Sequence, residues 1–352
     1  MDSKIKYSIK IVSTNLLFFL IFFIIIELVF GYWFEKYNFG PYMREHRLKK
    51  IPYQMTFNGT NYKYNYLRNS LAFRGEEIRT EEIKIVMVGG STTDERYKPE
   101  NLSIVGTLNT RFRENGLEKK IINAGVEGQS TFGHIHNFKY WFNKIEDFKP
   151  DFIIFYIGVN DTKSLTDNYL QDGMIEDSSK MRSFFDNIKS RSFLADLLRK
   201  TKHKYYKRDE SKRIIYDYDH AMRESQKQKK FYLNFEEKKK IYNLENVLYK
   251  NKFIVEKYLT NIDTLYKLTK LINAEPIFVN QVMQQDKYSD VLYSLNRSLV
   301  SHCIKKNYKF IDLAKHIKGS NDFWWDGVHT TPKGSEAIAN EIYPKLKKFL
   351  SN

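Results

Sequence analysis

The sequence predicts an α/β protein: a five-stranded parallel sheet between two layers of helices, carrying a helical insertion and preceded by a transmembrane helix. Three observations lead there. Short apolar, often β-branched runs alternate with helical stretches, the pattern of a parallel sheet covered on both faces. Polar and glycine-rich motifs follow those runs, where such sheets place their ligand sites. A dense apolar block stands alone near the N-terminus.

That block runs from Ile11 to Phe34, 24 residues with Glu27 as its one charge. As a helix it reaches about 36 Å, enough to cross a bilayer core. Tyr32 and Trp33 fall where an interfacial aromatic belt would lie. A cleaved signal peptide is the rival, but no small-x-small site follows the apolar run. An uncleaved anchor is expected. Lys4, Lys6 and Lys10 precede it, and Lys36, Arg44, Arg47 and Lys49 follow, so charge bias is nearly balanced. The main domain is expected outside the cytoplasm, because large domains translocate largely regardless of charge. Glu27 is costly at mid-bilayer. It sits either near the outer interface or against a partner helix.

Residues 35–80, rich in Tyr, Asn and Arg, show no clear period and are read as a stalk and irregular domain edge. Ile83–Val88 is a buried strand ending in Gly-Gly. A helix is expected near Asn101–Asn115, a second strand at Lys120–Asn123 and a helix at Phe132–Phe148. Asp151–Ile157 is a third strand, introduced by Pro150. Leu248–Ile272 reads as one long amphipathic helix, Pro276–Val282 as a fourth strand, Leu292–Lys306 as a helix and Phe310–Leu313 as a fifth strand. Thr331 caps a last helix that opens on Pro332 and runs to about Leu350. The expected organisation is therefore 1–34 tail and anchor, 35–80 stalk and edge, and 81–352 the main domain with an insertion at about 165–247.

The chain carries a net charge of +16. Met181–Lys240 alone holds 18 Lys and Arg against 9 Asp and Glu. Such a segment is either a solvated lobe or a surface for an anionic polymer or lipid headgroups. Nucleic acid is disfavoured by the anchor. The single cysteine, Cys303, excludes an intrachain disulfide and reads as a small buried apolar residue. His134 and His136 are two apart and cannot share a helical face, so neither metal nor other cofactor is expected. His302 and His316 read as surface residues.

Four motifs carry the chemistry. Gly89-Gly90-Ser91-Thr92-Thr93 follows the first strand, where a tight turn can present a nucleophilic hydroxyl beside a backbone N–H. Asn123-Ala124-Gly125-Val126-Glu127-Gly128 follows the second and leaves the Gly128 N–H to point into a pocket. Gly158-Val159-Asn160-Asp161 follows the third. Asn160 can donate to an oxyanion without carrying charge, and Asp161 can instead cap the following helix. Asp326-Gly327-Val328-His329 follows the fifth strand, with the spacing that lets a carboxylate orient an imidazole. Trp324 and Trp325 before it can wall a site or simply pack. Gln281, Gln284 and Gln285 end the fourth strand within topological reach. Each motif alone is an ordinary loop. Together they supply a nucleophile, a base, an orienting carboxylate and oxyanion donors.

The order Ser91, Gly128, Asn160, then Asp326 and His329 resembles the four-block pattern of the SGNH/GDSL hydrolases over about residues 83–350. The resemblance implies a flavodoxin-like sandwich and acyl transfer through Ser91, with His329 as base and Asp326 as orienter. It places the oxyanion hole at Ser91 N–H, Gly128 N–H and the Asn160 amide. The family's Gly-Asp-Ser reads Gly-Gly-Ser here, a form many anchored relatives share. Asn160 and Asp326 lie 166 positions apart, roughly twice what compact members need, and the basic segment fills the excess. The resemblance further implies an esterase or O-acyltransferase acting on O-acetyl groups of cell-surface or exported polysaccharide. A lysophospholipase-like enzyme, or a silent anchored binding protein that kept the fold, are the rivals.

Overall fold

The computed structural model describes residues 3–164, 180–204, 214–217, 244–283, 289–317 and 321–351. The chain divides into two compact units, Met1–Glu45 with Glu176–Asp209, and His46–Ile175 with Glu210–Asn352.

In the second unit the strands are β1 (Lys49–Phe57), β2 (Thr60–Arg68), β3 (Ile85–Gly89), β4 (Ile121–Gly125), β5 (Phe152–Ile157), β6 (Ile214–Asp217), β7 (Glu275–Asn280) and β8 (Lys309–Ile311). Five of them form one sheet in the order β4-β3-β5-β7-β8, every pair parallel. That is the expected five-stranded sheet. All five residues of β3 are buried, as are all those of β4, as a sheet covered on both faces requires. Ile85, Met87, Ile154, Tyr156, Ile277 and Val279 face the helices Ile104–Glu114 and Pro332–Ser351. The alternate residues turn the other way, where Phe155 stacks on Phe278 and meets Phe138 of the helix Thr131–Tyr140. The strand order reverses between β3 and β5, which opens a crevice at their carboxyl ends.

Several expected elements come out differently. The stretch read as stalk and irregular edge contains the antiparallel hairpin β1–β2, in register from Lys49 opposite Arg68 to Phe57 opposite Thr60. The expected helical insertion includes a strand, β6, which pairs in parallel with β1. The helix at Phe132–Phe148 stops at Tyr140 and yields to a short 3-10 turn at Phe142–Lys144. The long amphipathic helix is two, Leu244–Lys250 and Lys252–Leu271. They divide at Asn251, whose side-chain amide donates to Val247 O and to Ser294 Oγ. His302 is not a surface residue: its ring lies 2.7 Å from Asp263 and is only 13% exposed. Cys303 is buried. Most of the basic segment, and Gln284 and Gln285, lie outside the described residues.

In the first unit the helix Ser3–Phe30 contains a 24-residue apolar stretch, Tyr7–Phe30, most of whose side chains are exposed. Two further helices, Lys180–Arg191 and Phe193–Lys204, belong to the same unit. Glu27 accepts hydrogen bonds from Ser192 Oγ (2.7 Å) and from the amides of Phe193 (3.0 Å) and Leu194 (3.1 Å). The carboxylate of the apolar helix thus caps the N-terminus of a second helix, which satisfies donors that would otherwise lack partners. Tyr32 N donates to Arg191 O, and Tyr32 OH donates to Asp196.

Candidate active site

Ser91 opens a single helical turn, Ser91–Asp94, directly after β3. As its first residue, Ser91 has an N–H with no acceptor inside the helix. The turn is compact because Gly90 has no side chain. A Cβ there would stand 2.1 Å from Asn160 Nδ2, so any other residue would push the Asn160 amide away. Asn160, after β5, donates from that nitrogen to Gln129 O at 2.7 Å. Gly128, after β4, has φ +79°, a conformation that favours glycine and sets the direction of its amide. The loops carrying Gly90, Gln129 and Asn160 therefore meet at the crevice.

The last loop closes the arrangement. His329 Nε2 lies 2.8 Å from Ser91 Oγ, and His329 Nδ1 lies 2.6 Å from Asp326 Oδ2. Asp326 Oδ1 also accepts the amides of Val328 (2.9 Å) and His329 (2.7 Å), which locks the loop against its own carboxylate. Burial works to raise the Asp326 carboxyl, but hydrogen bonds from the His329 ring and these amides outweigh it and hold it below its usual value. With its proton on Nδ1, a neutral imidazole donates to Asp326 and accepts from the Ser91 hydroxyl. The Trp325 ring stacks on His329 with centroids 5.3 Å apart, and Tyr97 meets Trp325 edge-on. Trp324 is buried. Thr331 Oγ1 accepts from Gly334 N, capping the last helix as expected and so fixing the end of the loop.

Other predicted residues have bracing positions. Gln281 donates to Thr92 Oγ1 (2.8 Å) and Tyr156 O (3.0 Å) and accepts from Val159 N (2.8 Å). It ties the Ser91 turn to the Asn160 loop from behind. Asp161 caps a helix, but not the one that follows it: it accepts from the amide and hydroxyl of Thr131 at 3.0 and 2.6 Å. His134 is fully buried against Gln129, and burial pushes its pKa down to about 3.

Two buried networks beneath Ser91 escaped the sequence reading. In one, Asp94 of the Ser91 turn accepts from Arg68 (3.1 Å) and Tyr66 (2.8 Å), both on β2. Arg74 donates to Asp94 O and, at 2.7 Å, to Lys98 O. Although burial alone would raise the Asp94 carboxyl, Arg68, Arg96 and Arg74 hold it below its usual value. In the other, Lys98 Nζ donates to Glu95 (2.7 Å), Thr330 O (2.6 Å) and Ser335 Oγ (2.6 Å). Glu95 also accepts from Thr330 Oγ1 at 2.8 Å, and its amide donates to Ser91 O at 2.9 Å. One buried ion pair thus joins the Ser91 turn to the residue next to His329. The signal for the first network was present: Tyr62, Tyr64, Tyr66 and Arg68 recur at every second position, the period of a strand. For the second there was none, because Glu95 and Lys98, though three apart, meet Thr330 and Ser335 from more than 230 positions away.

Residues 85–342 match the model of the GDSL-like lipase/acylhydrolase family. No curated protein matches the sequence. Among solved structures, the fold is similar to that of TesA, with 11% identity and a TM-score of 0.42 over 75% of this chain and 98% of that one. It is also similar to the esterase EstA from Pseudoalteromonas sp., with 13% identity and a TM-score of 0.44 over 76% and 99%. A variant of Axe2, an acetyl xylan esterase from Geobacillus stearothermophilus, shows 14% identity and a TM-score of 0.42 over 75% and 96%. The family match covers most of the chain, and the chain belongs to the GDSL-like lipase/acylhydrolase family.

Proposed function

We propose that the chain is a serine-dependent esterase or O-acyltransferase, anchored in the cell membrane by its N-terminal helix with the catalytic unit outside the cytoplasm. The observation that carries the reading is the hydrogen-bonded row Ser91–His329–Asp326 at the carboxyl ends of the sheet. Ser91 Oγ attacks the acyl carbonyl while His329 takes its proton. Asp326 orients the ring and stabilises the imidazolium that forms. The N–H groups of Ser91 and Gly128 and the Asn160 amide stabilise the oxyanion. His329 then returns the proton to the departing alcohol, leaving an acyl-enzyme. Water as acceptor completes hydrolysis, and a sugar hydroxyl completes transfer.

For the acyl group we favour acetyl, carried on cell-surface or exported polysaccharide. The cavity beside Ser91, walled by Trp325, Tyr97 and Arg96, measures about 10 Å³. A space that small favours the shortest acyl group over the alkyl chain of a lysophospholipid. Full-length protein in detergent should turn over p-nitrophenyl acetate at least tenfold faster than the octanoate. Equal or reversed rates would favour a lipid substrate. Absence of turnover and of acyl transfer on either ester would leave a silent binding protein.

A further inference from the structure

Glu27 is the one charged side chain in the apolar block, and its contacts are specific. It caps the helix Phe193–Lys204 through Ser192, Phe193 and Leu194. It stands three residues before the end of the apolar stretch Tyr7–Phe30, about 4.5 Å along the helix axis. The contact continues past that end. The Phe30 and Phe193 rings lie 5.4 Å apart, Arg191 donates to Trp33 O, and Arg44 stacks on Tyr32. If Tyr7–Phe30 crosses the bilayer, the helices Lys180–Arg191 and Phe193–Lys204 meet it at headgroup depth.

Their composition suits that depth. Residues 180–204 hold eight Lys and Arg against Asp186 and Asp196. Phe185 and Ile188, three apart on one helix, are exposed, and so are Leu197 and Leu198 on the other. Apolar side chains exposed beside a lipid-facing helix, on segments this basic, match an interfacial amphipathic pair. Anionic headgroups would attract each Lys or Arg held near the surface.

We infer that residues 180–204 form a helical pair that lies in the surface of an anionic bilayer, docked through Glu27 to the point where the anchor leaves the membrane. The inference rests on the anchor reading above, and it assigns part of the basic segment to lipid headgroups in place of a polymeric substrate.

The test uses full-length protein with its buried cysteine replaced, Cys303→Ala, and one environment-sensitive NBD label per variant. Labels go at Phe185→Cys and Leu198→Cys, with Ile188→Cys and Leu197→Cys as a second pair should either fail to fold. Leu17→Cys reports the anchor and Lys315→Cys an exposed site of the other unit. In phosphatidylcholine–phosphatidylglycerol vesicles, labels on the helical pair should shift to the blue. They should be quenched by lipid spin-labelled near the headgroup more than by lipid labelled deep in the acyl chain. The Leu17 label should show the reverse preference, and the Lys315 label neither. Pure phosphatidylcholine should weaken quenching on the pair and leave Leu17 unchanged. Labels on the pair as exposed as Lys315, with Leu17 quenched, would overturn the interfacial placement while keeping the anchor. An unquenched Leu17 would overturn the anchor and the placement with it.

Discussion

His329 lies within hydrogen-bonding distance of both Ser91 and Asp326, and each contact has a separate consequence for chemistry. Asp326→Asn keeps the shape of the loop but removes the charge that stabilises an imidazolium and selects the tautomer. It should lower kcat for p-nitrophenyl acetate on the order of 10²- to 10⁴-fold. Asn160→Ala should lower kcat by about 10²- to 10³-fold with a smaller change in KM, as expected of a donor used mainly in the transition state. A change confined to KM would make Asn160 a binding residue only. The Asp326 carboxyl is held below its ordinary value of 3.8, so its contribution to stability is complete above that value and is lost as pH falls through the lower folded value. The stability gap between wild type and Asp326→Asn should therefore narrow below about pH 4, as the Asp326 carboxylate takes up its proton. Urea denaturation across that range measures it.

The turn Ser91–Asp94 stands on two buried ion pairs, and the elements that supply them differ in how legible they were. Lys98→Met would leave Glu95 buried without its cation, and should cost about 3–5 kcal/mol in urea denaturation. Adding Glu95→Gln should restore part of that loss, whereas additive losses would show that the pair is not coupled. The five strands of the main sheet were readable because each is a short apolar run, and β3, β4 and β5 lead directly into a motif. Ser91 and Asn160 were readable because a strand end is where such a sheet presents chemistry, and Asp326 and His329 by their spacing before a helix that opens on Pro332. The hairpin β1–β2 was missed, although Tyr62, Tyr64 and Tyr66 alternate with Asn and Lys at the period of a strand. Asp161 shows a further limit. Local spacing suggests a cap for its own helix, but tertiary packing brings it to Thr131, 30 positions away. Glu27 is similar: sequence marks it as anomalous, and only the fold shows the helix end that it satisfies.

At the scale of the whole molecule, a basic chain of 352 residues combines an acylhydrolase unit with an apolar helix that presents its side chains outward. Full-length protein should resist carbonate extraction from membranes. Release by carbonate would mean that Tyr7–Phe30 does not span or is removed. The net charge of +16 adds a dependence on ionic strength. Binding to anionic vesicles should weaken as salt rises from 0.1 to 1 M, where the Debye length falls from about 10 Å to about 3 Å. Turnover of a small neutral ester should hardly change over the same range. A parallel fall in both would point to a salt effect on the active site itself.

The central claim is that Ser91 is an activated nucleophile, and labelling by a fluorophosphonate tests it most directly. The reagent reacts with a serine whose proton a neighbouring base removes, whatever the natural acyl group or acceptor. Wild type should be labelled at Ser91, located by peptide mass, with labelling abolished in Ser91→Ala and strongly slowed in His329→Ala. Equal labelling of wild type and Ser91→Ala, or an unlabelled wild type whose fold is intact by circular dichroism, would contradict the account.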